Sequence, residues 1–69
     1  MPGYLVEIRI LGHLDAHAQR WFDGMSITSL PNGETLLSGP AADQSALFGL
    51  ISHVRDLGLA LVSVHCKES

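Results

Sequence analysis

Residues 39–66 read GPAADQSALFGLISHVRDLGLALVSVHC: a loop, one amphipathic helix, a glycine stop and a returning strand. Asp43 carries a short carboxylate that can accept from the free amides of a first helical turn, so it is the expected N-cap. Leu47, Leu50, Ile51, Val54 and Leu57 then recur at i, i+3, i+4, i+7 and i+10, an apolar stripe along one helix face. Arg55 falls in the last turn, where the helix dipole favours a cation, and Gly58 is suited to end the helix. Leu59–Cys66 (LALVSVHC) is the expected closing strand, and Lys67-Glu68-Ser69 a polar tail.

Working outward, Tyr4–Leu11 (YLVEIRIL) alternates, with Tyr4, Val6, Ile8 and Ile10 on one face and Leu5, Glu7, Arg9 and Leu11 on the other. Such a strand suits a sheet covered on a single side. Gly12-His13 breaks it, and Asp15 can cap a short helix whose Leu14, Ala18, Trp21 and Phe22 share a face. Adjacent helical residues diverge by about 100°, so only one of Trp21 and Phe22 can point squarely inward. Gly24 stops this helix. Met25–Leu30 and Glu34–Ser38 flank Pro31-Asn32-Gly33, a hairpin signal, because Pro presets φ while Asn and Gly accept positive φ. Gly39-Pro40 is expected to end the second hairpin strand, since Pro has no amide to give to a ladder.

The order is β-α-β-β-α-β. It predicts a single α+β domain over residues 1–69 of ferredoxin-like (βαββαβ) form, a four-stranded antiparallel sheet with both helices on one face. If the short helix is only a loop, the fallback is βββαβ.

A chain of 69 residues buries only about 60% of its unfolded surface and is marginal without help. One cysteine excludes an internal disulfide, which leaves self-association as the favoured source of that help. The apolar fraction of 46% and the charged fraction of 16% are those of a globular protein. Four Lys and Arg against seven acids, net charge −3, make no basic patch, so nucleic acid and membrane surfaces are not expected partners. The start, MPGYLVEIRILG, has neither a basic run nor a cleavage site, and no apolar run approaches the ~20 residues of a membrane span. A cytoplasmic protein is the expectation.

Candidate chemistry is sparse. No nucleotide loop, nucleophile elbow, metalloprotease or paired-cysteine motif occurs, so no catalytic residue and no cofactor is expected. His13 and His17 stand four apart, the spacing at which some helical zinc sites begin, but the cap at Asp15 leaves His13 outside the helix. His65 and Cys66 are neighbours on a strand and point to opposite faces, so they cannot pair with each other. Cys66 continues the Val62, Val64 row and reads as a small core residue. If the first and last strands are neighbours, an open sheet face carries Glu7, Arg9, Thr28, Ser63 and His65. It is either a solvated face with cross-strand polar pairs or a docking surface. Phe48 lies well off the helix stripe and is a candidate anchor for a partner. Gly49 lies near the solvent side of the same helix, where it costs about 1 kcal/mol relative to Ala.

The segment ADQSALFGLISHVRDLGLALVSV resembles the helix–strand half of ACT domains, with Ser45-Ala46 where their motif has Pro-Gly. That resemblance implies a ferredoxin-like fold, edge-to-edge dimers and amino-acid sensing, and carries over no ligand residue. GHLD, WFDGMSIT, GETLLSGPAADQSAL and RDLGLALVSV resemble the pattern of a small uncharacterised prokaryotic family of about this length, which implies a free-standing protein without a known activity. The expected function is a non-enzymatic interaction or regulatory module, working as a homodimer with a protein partner. Its closing strand has His65 as the one ionisable group between Leu59 and Cys66, which leaves that edge open to pairing. The alternatives are an ACT-like small-molecule sensor and, more distantly, a metal-dependent enzyme or metal carrier.

Overall fold

In a computed structural model, which describes residues 3–68, the chain forms one four-stranded antiparallel sheet. The elements run β1 (Tyr4–Leu11), α1 (Ala16–Gln19) with a 3-10 turn (Arg20–Phe22), β2 (Ser26–Ser29), β3 (Glu34–Ala41), α2 (Gln44–Asp56) and β4 (Ala60–Glu68). The strand order β2-β3-β1-β4 is the ferredoxin-like arrangement, with β1 and β3 central and β2 and β4 at the edges.

Alternation in β1 decides which face is covered. Val6, Ile8 and Ile10 are fully buried, and Leu37 of β3 and Val54 of α2 join them with Leu14, Phe22 and Ala41 in one core. Leu5, Glu7, Arg9 and Leu11 face the other way and are exposed. Both helical segments therefore lie on one side of the sheet.

The local signals act through hydrogen bonds. Asp15 Oδ1 accepts from the Ala18 amide at 2.7 Å, and Asp43 Oδ1 from the Ala46 amide at 2.8 Å, so both helices are capped by the expected aspartates. At the end of α2 the Gly58 amide donates to the Arg55 carbonyl and the Leu59 amide to the Val54 carbonyl. That pair of bonds is a Schellman stop, and it requires the positive φ of 72° that Gly58 adopts. In the hairpin, the Gly33 amide donates to Leu30 and Glu34 accepts from Leu30, while Gly33 alone of the turn has positive φ. This is a type I turn closed by a glycine bulge.

Several expectations need correction. The second hairpin strand does not end at Gly39-Pro40 but continues to Ala41, with Pro40 opposite Leu5. β2 stops at Ser26, opposite Ser38, so beyond that point one flank of β3 is an edge, where a strand tolerates proline. Lys67 and Glu68 are not a tail but the last residues of β4, opposite Leu5 and Tyr4. Ser69 lies outside the described residues. The alternation of β4 also breaks once: Arg9 pairs with Ser63 and Ile10 with Leu61, which leaves Val62 as an extra, bulged residue. Leu61 is thereby moved from the row of Ser63 and His65 to the helix side. Cys66 is opposite Val6 on the helix side, yet it is exposed rather than a core residue, because the helices do not cover that end of the edge strand.

Candidate functional site

The open face gathers most of the polar residues expected there. β1 is central, so Glu7 stands directly opposite His65 of β4 and Ser38 of β3, and Arg9 opposite Ser63 and Leu36. Directly opposed residues lie about 5 Å apart. Thr28 is on the same row as Arg9 but beyond Leu36, about 10 Å across the sheet. Glu7, Arg9, Ser63 and His65 thus form one cluster, and Thr28 flanks it. Phe48 sits on α2, on the other side of the sheet, and belongs to a different surface; 61% of it is exposed.

The second feature is poor cover around α2 and β4. Of the helix stripe only Val54 is buried, while Leu47, Leu50, Ile51 and Leu57 are half-buried. Along β4 only Ser63 and Val64 are shielded even partly, and Leu61 and Val62 expose 47% and 48% of their surface. A nine-residue strand bonded on one flank only leaves a row of amides and carbonyls facing outward. The bulge at Val62 and the Lys67 side chain are devices that discourage pairing, so the edge is not without them. They leave the stretch between them open.

Sequence reasoning missed His53. Its ring meets Trp21 at 5.1 Å between centroids and meets Phe22 edge-on at 6.2 Å. His53 follows Leu50 by three and precedes Leu57 by four, so its place at the border of the stripe was readable in the spacing. Phe22 is the inward member of the aromatic pair, and Trp21 is half exposed. Trp21, His53, Asp56 and Leu57 line a shallow cavity of about 100 Å³. The Arg55 guanidinium holds the Asp56 carboxylate at 3.2 Å on the exposed side.

His13 lies before α1, outside the helix that contains His17, with Nδ1 3.5 Å from the Thr35 hydroxyl. Thr35 is buried and satisfied by donating to the Gly12 carbonyl, so its role is to tie β3 to the end of β1. No group of three or more His, Cys, Asp or Glu among the described residues is placed to hold a metal ion. No helix among them is long and apolar enough to cross a membrane.

Gly49 lies inside α2, and a methyl group built on it meets no atom within 4 Å. Gly49→Ala is therefore expected to stabilise the single copy by about 1 kcal/mol, a rise of about 4–8 °C in thermal unfolding. A fall instead would place another chain against that helix surface.

Compared with known proteins, residues 5–65 match a family described as a domain of unknown function, DUF8691. No curated protein and no solved structure gives a match.

Proposed function

The chain belongs to the DUF8691 family of domains of unknown function, and we propose that it is a non-enzymatic interaction module that works by associating with itself and, through that assembly, with a partner protein. The observation that carries this reading is the uncovered strand β4 beside the half-exposed stripe of α2. Leu47, Leu50, Ile51 and Leu57 each keep apolar area in water, at a cost of roughly 25 cal/mol per Å². A small domain has little stability in reserve, so covering that area is the available gain. Light scattering of untagged protein over a range of concentrations tests it: the mean mass should rise from one copy to two. A single-copy mass at every concentration would contradict the reading.

The small-molecule sensor reading draws on less. Ligand pockets enclose about 300–1,000 Å³, and the cavity beside Trp21 holds about 100 Å³. A sensor of this size would need its ligand between copies. Melting temperatures unchanged across amino acids and nucleotides would count against it.

A further inference from the structure

We propose that two copies join edge to edge through β4, Ser63–Lys67 of each pairing antiparallel about a two-fold axis at His65, so that two sheets become one. This rests on the reading of the chain as a self-associating module and specifies its interface.

A two-fold contact uses the same patch twice, so if residue i pairs with j, then j pairs with i. A continuous sheet also requires opposed residues to lie on the same face. Ser63, His65 and Lys67 stand on the open face, opposite Arg9, Glu7 and Leu5. Val64, Cys66 and Glu68 stand on the helix side, opposite Ile8, Val6 and Tyr4. The bulge at Val62 limits regular alternation to Ser63–Glu68, which leaves Val64, His65, Cys66 or Lys67 as the axis, and Lys67 would set two ammonium groups face to face.

An axis at Val64 sets Cys66 against the bulged Val62, and regular pairing stops at Ser63–His65. An axis at Cys66 sets the Glu68 carboxylate against Val64 on the helix side and places the Lys67 ammonium opposite His65. The first keeps only three residues in register, and the second opposes unlike or repelling groups. An axis at His65 sets Val64 against Cys66 of the second copy, apolar against apolar, and Ser63 against Lys67. The two imidazoles then face each other, and a ring N–H of one can donate to the bare ring nitrogen of the other. On the open face the row becomes Glu7, His65, His65 and Glu7.

A second copy fits this edge better than an unrelated strand for a further reason. By symmetry it repeats the Val64–Cys66 contact on the helix side, so the apolar pairing is made twice. The opposite edge, β2, spans only Ser26–Ser29 and offers far less to pair with.

Cysteine placement tests the register. Opposed antiparallel residues have Cα atoms about 4.5–5.5 Å apart, within the span a disulfide bridges. The double variant His65→Cys, Cys66→Ser should therefore oxidise rapidly to a covalent two-copy species. In Ser63→Cys, Cys66→Ser the two thiols lie roughly 13 Å apart along the strands, and native Cys66 lies roughly 8 Å from its counterpart. Both should remain thiols under the same mild oxidant. All substituted side chains are exposed or half-exposed, so folding is retained, and circular dichroism checks this. A two-copy mass without the His65→Cys crosslink overturns the interface and leaves self-association standing. A single-copy mass overturns both.

Discussion

Phe22→Ala leaves the chain largely unfolded at room temperature. Phe22 is 1% exposed, sits in the central core and meets the His53 ring edge-on. Truncating a buried Phe to Ala costs about 3–5 kcal/mol through lost transfer energy and the cavity left behind. Native domains have about 5–15 kcal/mol in total, and one this small belongs at the low end. The substitution therefore removes most of the stability. Far-ultraviolet circular dichroism against urea should show an unfolding midpoint at or near zero denaturant. Trp21→Ala at the neighbouring position is the internal control. Half of Trp21 is already in water, so its loss should move the midpoint much less. Equal effects would mean that the short helix is rotated from the orientation described.

Cys66→Lys separates two copies without unfolding either one. Cys66 is exposed in the single chain, and surface substitutions usually change folding stability by less than about 0.5 kcal/mol. In the assembled sheet it opposes Val64 of the second copy, where an ammonium group displaces apolar contact and acts as edge strands use lysine, to repel pairing. Symmetry applies the change twice. At about 1 kcal/mol per site the dissociation constant rises by at least about 30-fold. Sedimentation equilibrium measures this directly. An unchanged constant would remove Cys66 from the interface.

The parts of the fold legible in the sequence are those set by neighbours along the chain. Asp15 and Asp43 cap because a short carboxylate reaches back to nearby amides, and Gly33 and Gly58 turn because they accept positive φ. The period-2 row of β1 gave the buried face once β3 and β4 lay beside it. What escaped depends on residues distant in sequence. Phe22 rather than Trp21 enters the core, where it joins Val54 of α2, while His53 meets both rings. The continuation of β3 through Pro40 depends on where β2 ends. The exposure of Cys66 reflects how far the helices extend over β4, and the slip at Val62 is a property of the β1–β4 ladder. Of the candidate site, the grouping of Glu7, Arg9, Ser63 and His65 followed from placing β4 beside β1, and the exposure of Phe48 followed from its place off the apolar stripe of α2.

The most direct measurement is amide hydrogen exchange along β4 in the native protein at two concentrations. In a single copy, the amides of Ser63–Lys67 that point away from β1 face water and exchange quickly. If β4 pairs with a second copy, those same amides are protected at high concentration and lose protection on dilution, while the amides that bond β1 stay protected throughout. Outward amides that exchange at the rate of an exposed loop at both concentrations would contradict pairing through β4.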